Sequence, residues 1–136
     1  MNYIVYTDGA YSSMRDQGGI GIVILKNNQM VLKYSKMYKN VTNNKMELMA
    51  VIMAFTCIKE KVDNITIVTD SQYVIGCATK GWKRKKNKKL WELFDSKYEE
   101  LKTKCSNITW SWTHGHSDNE YNNLCDKIAV EASHQI

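Results

Sequence analysis

At 136 residues, of which 43% are hydrophobic, the chain can bury a core but has no room for a second domain, so we expect residues 1–136 to form one domain. Its longest apolar runs, IGIVIL and MAVIMAF, fall far short of the roughly 20 residues that span a bilayer, and Asp8 interrupts the N-terminal apolar stretch too early for a secretory signal. We therefore expect a soluble protein of the cytoplasm, and we also expect it to be a monomer. The formal net charge of +5 allows a polyanionic partner without proving one, and four widely spaced cysteines with no Cys-x-x-Cys pair argue against a zinc site or a disulfide framework.

The first part of the chain predicts three strands followed by a helix. β-Branched and aromatic residues cluster at about residues 3–7, 19–25 and 30–36, and the turn-forming LKNNQM between the second and third clusters favours an antiparallel meander. From residue 44 to about residue 61, NKMELMAVIMAFTCIKEK is rich in helix formers and too long for a strand.

The remainder alternates between strand and helix patterns. NITIVT and NITWSW are typical of strands, whereas SQYVIGCAT, KLWELFDSKYEELKTK and residues 120–134 are typical of helices. Strands joined through helices lie parallel with right-handed crossovers. The sequence therefore predicts an α/β fold of the order βββαβαβα, with a mixed five-stranded sheet flanked by helices.

Two of the predicted strands, the first and the fourth, end on the same Thr-Asp pair, in YIVYTDGAYS and ITIVTDSQYV. Sites in open α/β sheets form outside the carboxyl ends of parallel strands, so Asp8 and Asp70 meet if these strands are neighbours. Each aspartate alone also has a structural explanation, because aspartate after a strand is a common turn former or helix N-cap.

Two further carboxylates fall on helix faces that should be buried. Glu47 shares a helical stripe with Val51, and Asp126 lies within the apolar pattern of the last helix. Burying a carboxylate is costly unless a cation or hydrogen-bond donors compensate. The alternatives are a capping-box pair of Asn44 with Glu47 and a solvated position for Asp126. Four carboxylates at one sheet edge would repel one another, and oxygen-only ligands favour Mg²⁺ or Mn²⁺.

Four segments together resemble the signature blocks of type 1 ribonuclease H. They are TDGA at 7–10, TNNKMELMA at 42–50, TDSQYV at 69–74 and GHSDNEYNNLCDKIA at 115–129, and the resemblance covers nearly the whole chain in order. It implies the ribonuclease H-like fold and endonucleolytic hydrolysis of the RNA strand of RNA/DNA hybrids. It also implies a mechanism with two Mg²⁺ ions, which Mn²⁺ can replace, and products with 5′-phosphate and 3′-hydroxyl ends.

The resemblance assigns a role to each candidate catalytic residue. Asp8 would bridge both metal ions, and Glu47 and Asp70 would complete the ion beside the leaving group. Asp126 would help to hold the ion that activates water. His116 would assist proton transfer or product release.

The resemblance also implies how the hybrid is recognised. Asn43, Asn44 and Gln72 match family positions that contact the minor groove, where an amide can donate to and accept from the 2′-hydroxyl that distinguishes RNA from DNA. Asn122 matches a family asparagine near the site.

One departure from the family lies between Asp70 and Trp91, an interval too short for the extra helix and long basic loop of many members. It retains the run KGWKRKKNKK at residues 80–89, whose mixture of cations and tryptophan suits phosphate contacts and stacking, although a solvated loop is the alternative. The expected contacts are Trp82, Lys83, Arg84, Lys85 and Lys86.

Two other functions remain open from the sequence. One is a DNA-processing nuclease of the same fold, similar to a resolvase or integrase, which the amides at 43, 44 and 72 argue against. The other is a catalytically silent module that binds hybrids, which the intact carboxylate set disfavours.

Overall fold

The computed structural model describes residues 1–114 and 118–136, and this part of the chain forms one five-stranded sheet with four helices. The strands are β1 (Asn2–Ser12), β2 (Gln17–Lys26), β3 (Gln29–Lys39), β4 (Val62–Thr69) and β5 (Cys105–Trp112). The helices are α1 (Asn43–Thr56), α2 (Gln72–Thr79), α3 (Lys88–Lys102) and α4 (Glu120–Ser133).

The strand order across the sheet is β3-β2-β1-β4-β5. The pairs β1–β2 and β2–β3 are antiparallel, whereas β1–β4 and β4–β5 are parallel. This confirms the predicted mixed α/β fold. Both helices predicted between the last two strands are present as α2 and α3, so the order βββαβαβα has one helix too few at this point. The turn between β2 and β3 consists of Asn27 and Asn28, which both have positive φ angles (48° and 69°), as two-residue hairpin turns require.

The helices cover the two faces of the sheet unequally. On one face, α1 packs over β1 and β2, and α3 packs beside α1. An aromatic cluster joins these helices to β5, since the Phe55 ring lies 5.6 Å from that of Phe94 and 6.3 Å from that of Trp110. On the other face, α4 covers β1 and β2, where Tyr6 and Cys125 belong to a second, smaller core.

Two element boundaries differ from the predicted ones. Helix α1 ends at Thr56 rather than near residue 61, because the N–H groups of Cys57 and Ile58 bond to carbonyls only three residues back and Ile58 turns into the core. Strand β1 continues to Ser12 rather than ending near residue 7, because β2 pairs with its whole length. Asp8 therefore lies within a strand and not in a loop.

The helix caps also differ from the two capping alternatives. Helix α1 is capped by Thr42, whose hydroxyl accepts from the Lys45 N–H at 3.2 Å, and not by Asn44. Helix α2 is capped by Ser71, whose hydroxyl accepts from the Val74 N–H at 3.1 Å. The capping-box explanation of Glu47 and the capping explanation of the aspartate before Ser71 are therefore wrong.

All four cysteines are free thiols, and all but Cys57 are buried. Within the two described ranges, no helix has both the length and the apolar character needed to cross a bilayer.

Candidate active site

Strand register brings Asp8 and Asp70 together. Tyr6 of β1 pairs with Val68 of β4 in the parallel ladder, and each aspartate lies two residues beyond its paired residue. Both side chains consequently emerge at the carboxyl end of the same strand pair. The condition that the sequence left open, that the two strands are neighbours, is therefore met.

Glu47 reaches this pair because α1 lies unusually close to β1. A Cβ atom at Gly9 would be 2.3 Å from the Glu47 backbone nitrogen and 2.4 Å from the Met46 carbonyl carbon. Only glycine leaves room for the helix backbone at this distance. The glycine after Asp8 thus positions the third carboxylate.

The three carboxylates form one compact group. Oxygen atoms of Asp8, Glu47 and Asp70 all lie within 4.8 Å of one another. Asp8 and Glu47 are each only 6% exposed, and the Glu47 Oε2 atom has no hydrogen-bond partner among the described residues. A buried acceptor without a donor, facing two further carboxylates, is the environment that a bound cation satisfies.

The electrostatics of the group favour bound protons when no cation is present. Burial, followed by the charges of Asp70 and Asp126, raises the pKa of Asp8 from 3.8 to about 8, although the Gly9 N–H donates to this carboxylate at 2.9 Å. Burial, followed by the charge of Asp8, raises the pKa of Glu47 well above its usual value. Like charges in a poorly solvated site therefore cannot all ionise easily.

Asp126 approaches the group from α4 on the opposite face of the sheet. Its side chain is half-buried and lies within hydrogen-bonding reach of Asp8. Helix α4 comes close because β2 carries glycine at its contact: a Cβ at Gly21 would lie 2.4 Å from the Cys125 carbonyl oxygen. The Asn119 side chain caps α4 by accepting from the N–H groups of its first turn. The solvated alternative for Asp126 is therefore not what the fold shows.

The predicted amide residues occupy helix starts around the carboxylates. Asn43 is the exposed first residue of α1, and Asn44 beside it is half-buried. Gln72 is the exposed first residue of α2, two positions after Asp70. Asn122 is buried in the first turn of α4, whereas His116 falls outside the described residues.

The cations of the basic run differ in their surroundings. Lys83, Lys85 and Lys86 are exposed, but the Arg84 guanidinium lies 4.4 Å from the Trp91 ring centroid. Its Nη1 atom also donates to Asp95 at 2.7 Å, and its Nε atom donates to the Cys77 carbonyl at 3.2 Å. Contact between Arg84 and a phosphate would have to compete with these interactions.

Trp112 belongs to the site although sequence reasoning did not single it out. Its indole N–H donates to the Asp70 carbonyl oxygen at 3.1 Å, and its side chain is 40% exposed. Together with Gln72 and Trp82 it lines a cavity of about 320 Å³ between α2 and the end of β5. The available signal was its place at the end of β5, next to β4 in the parallel part of the sheet.

The arrangement of charged residues defines a class of protein. Carboxylates from two strands and a helix converge within 4.8 Å, with a fourth from α4 beside them and basic residues on the surface nearby. This is a site for divalent cations and a polyanionic substrate, as in metal-dependent nucleases.

The comparisons with known proteins specify the family. The RNase H family model matches residues 1–134, and the chain belongs to this family. It is 39% identical over 141 residues to ribonuclease H of Trichodesmium erythraeum, covering 97% of this chain and 88% of the relative. Identity to ribonuclease H of Francisella philomiragia is 42% over 144 residues, covering 96% and 90%.

Solved structures agree on the fold. RNase H1 of the archaeon Halobacterium salinarum has a TM-score of 0.76 at 22% identity, with 97% of each chain covered. The N-terminal RNase H domain of a Mycobacterium tuberculosis protein, solved as a fusion with maltose-binding protein, has a TM-score of 0.77 at 18% identity, covering 98% of this chain and 99% of that one. At these identities the likeness supports the architecture alone.

Proposed function

We infer that the protein is an endoribonuclease that hydrolyses the RNA strand of RNA/DNA hybrids. The observation that carries this inference is the convergence of Asp8, Glu47 and Asp70 within 4.8 Å in a chain of the RNase H family. A silent binding module would have no need for a buried carboxylate group with raised pKa values, because that group destabilises the metal-free fold. We further propose that residues 1–136 act as one domain and as a monomer.

The carboxylates fit two Mg²⁺ ions, with Mn²⁺ as a substitute. The site offers oxygen ligands only, which suits hard divalent cations, and the unpartnered Glu47 Oε2 atom supplies one position. We propose that Asp8 contributes to both ions, that Glu47 and Asp70 hold the one beside the leaving group, and that Asp126 holds the other. When bound, such ions make the attacking water more acidic and stabilise negative charge on the leaving 3′ oxygen.

The protein's own groups would position the hybrid and move protons. The exposed amides of Asn43 and Gln72 begin two helices on either side of the carboxylates, and with Asn44 and Asn122 they are proposed to read the minor groove and its 2′-hydroxyls. His116 is proposed to pass a proton to the departing oxygen or to speed product release. In-line attack would leave 5′-phosphate and 3′-hydroxyl ends.

The basic run is proposed to hold the hybrid at one side of the site. Lys83, Lys85 and Lys86 are exposed and suited to phosphates, and Trp82 is 49% exposed above α2. Arg84 has a different role in this proposal: its contacts with Trp91 and Asp95 fix the path of the run, so that its neighbours point outward.

A cleavage assay with matched substrates tests the function. Labelled RNA would be supplied as an RNA/DNA hybrid, as an RNA duplex and as single strands, with a DNA duplex in parallel, each in Mg²⁺ or in EDTA. We expect cleavage of RNA in the hybrid alone, in Mg²⁺ alone, with no cleavage by Asp8→Asn. Glu99→Gln provides the control, because Glu99 is an exposed carboxylate paired with Lys102 away from the site. Cleavage of the DNA duplex at a comparable rate, or an active Asp8→Asn protein, would overturn the assignment.

A further inference from the structure

The edge strand β3 carries three exposed lysines and no acidic residue. Lys33, Lys36 and Lys39 are exposed, and the only acidic residue from position 17 to position 59 is the buried Glu47. Within the described part of the chain, none of these three lysines forms an ion pair. This edge strand therefore presents positive charge to solvent.

Aromatic rings alternate with the charge on one face of the strand. Tyr34, Lys36 and Tyr38 share the face that looks towards α1, because side chains on a strand alternate with a period of two. The Lys36 ammonium lies 5.2 Å from the Tyr38 ring centroid. Both tyrosines are half-buried, so each keeps part of its ring accessible. Lys33 and Lys39 lie on the opposite face of the strand, so the charge flanks its exposed edge on both sides. We call Lys33, Tyr34, Lys36, Tyr38 and Lys39 the β3 strip.

The register of the sheet places the β3 strip beside the carboxylates. Gly9 pairs with Ile20 of β2, and Ile20 pairs with Lys36 of β3. Lys36 is therefore two strand spacings, roughly 10 Å, from the residue that follows Asp8. That distance corresponds to about three nucleotides of rise along one strand of a duplex.

The strip lies on the opposite side of the site from the basic run 80–89. The run follows α2, which leaves β4, whereas β3 lies two strands away on the other side of β1. The chain also leads from Lys39 directly into Asn43 at the start of α1. A nucleic acid that extends past the carboxylates would thus meet the basic run on one side and the β3 strip on the other.

We propose that the β3 strip binds a single-stranded extension of the nucleic acid beyond the hybrid that is cleaved. Lysines would contact its phosphates, and the tyrosine rings would stack on its bases. Charge complementarity selects a polyanion, and accessible rings next to cations select unpaired bases, because the bases of a duplex are stacked on one another. This proposal rests on the hybrid cleavage inferred above and adds a second contact surface to it.

Lysine on an edge strand has another common explanation, because it discourages pairing with the edge of a second molecule. The two explanations predict different results. Edge protection requires dimers or aggregates when the lysines are neutralised, with no change in how tailed substrates are bound. Nucleic-acid binding requires the tail to lose its effect while the protein stays monomeric.

The test compares hybrids of identical paired length with and without a single-stranded tail of about eight nucleotides, a length within the usual site size of such surfaces. For the wild-type protein we expect several-fold tighter binding of the tailed hybrid at low salt. In Lys36→Gln/Lys39→Gln this advantage should disappear, with a salt slope lower by about 0.7 per lost contact. Tyr38→Leu should reduce the advantage without changing the slope. The control Lys59→Gln/Lys61→Gln removes the same charge at the other end of the sheet and should retain the advantage.

Cleavage of the blunt hybrid separates this proposal from the proposed function. All four proteins should cleave it with single-turnover rates within about twofold of one another, since the strip lies outside the carboxylate group. An unchanged tail advantage in Lys36→Gln/Lys39→Gln would overturn the proposal, and aggregation of that variant by light scattering with the advantage retained would assign the lysines to edge protection. Absence of cleavage by the wild-type protein would instead refute the proposed function.

Discussion

Replacing Gly9 with alanine should damage the site without altering any carboxylate. The added methyl group would lie 2.3 Å from the Glu47 backbone nitrogen, whereas ordinary contact begins at 3.4 Å, a difference of about 1.1 Å. The opposing atoms belong to the backbone of α1, so no side-chain rotation can relieve the overlap. Helix α1 must therefore withdraw from β1 by about that distance and carry Glu47 with it.

The structural displacement sets the size of both expected effects. Forcing one extra carbon into a packed core commonly costs about 1–3 kcal/mol, and contact with rigid backbone places Gly9→Ala in the upper part of that range. A misplacement of about 1 Å at a reacting centre can lower the rate by roughly 10²-fold. We therefore expect a loss of about 2–3 kcal/mol in unfolding free energy and a decrease of about 10²-fold in cleavage rate at saturating hybrid.

Urea unfolding and single-turnover cleavage measure the two effects, with Gly18→Ala as the matched control. The atoms nearest to a Cβ at Gly18 belong to side chains, those of Met46 and Val41 at 2.6 Å, and side chains can shift at lower cost than backbone. The control should therefore be closer to the wild-type protein in both measurements. If Gly9→Ala matched Gly18→Ala in stability and cleaved at a similar rate, the close approach of α1 would not be what positions Glu47.

Four other substitutions test the remaining parts of the site. Because the pKa of Asp8 is raised from 3.8 to about 8, the folded metal-free protein retains a proton that the unfolded chain loses between these values, so Asp8 destabilises the fold least below about pH 4 and increasingly as the pH rises towards 8. Asp8→Asn should therefore melt above the wild-type protein at pH 8 in EDTA, with a smaller difference near pH 4 by calorimetry, and an opposite trend would contradict the shift. Arg84→Gln should lower the unfolding free energy by about 1 kcal/mol, because the contacts with Trp91 and Asp95 are lost. Lys83→Gln should instead mainly reduce the salt slope of hybrid binding, by about 0.9. Equal slopes in these two variants would show that Arg84 and Lys83 do not differ in their contact with phosphate. His116→Ala should cleave about 10²- to 10⁴-fold more slowly and lose the limb of the pH–rate profile near the histidine range, and an unchanged profile would exclude His116 from proton transfer.

The carboxylate site was predictable because its residues follow from regular geometry. Two neighbouring parallel strands that carry the same Thr-Asp pair bring Asp8 and Asp70 together where their pairing ends. Glu47 was identifiable as a charged residue in an apolar stretch, which requires compensation when buried. These inferences depend on strand ends and helix period, which a sequence pattern contains, whereas the adjacency of β1 and β4 came from the structure.

Close approach between elements was not predictable in the same way. Nothing in the sequence near Gly9 indicates that the α1 backbone lies against it, and Trp112 contacts the Asp70 carbonyl only because β5 lies beside β4. The role of Arg84 was not predictable either. The sequence groups it with its lysine neighbours, whereas in the fold its guanidinium lies on the Trp91 ring. Contacts between residues far apart in sequence decide such cases.

The raised pKa values connect the stability of the site with its use. Near neutral pH the metal-free carboxylates retain protons because burial and mutual repulsion oppose full ionisation, as the pKa of about 8 for Asp8 indicates. Divalent cations would have to displace these protons, so metal affinity should increase with pH until the carboxyl groups are ionised. A polyanionic strand would be repelled by the ionised group without cations, and the lysines lie at the flanks, where they cannot neutralise its centre. Metal binding and substrate binding should therefore reinforce each other: cations would remove the repulsion at the centre, and phosphates would complete their coordination.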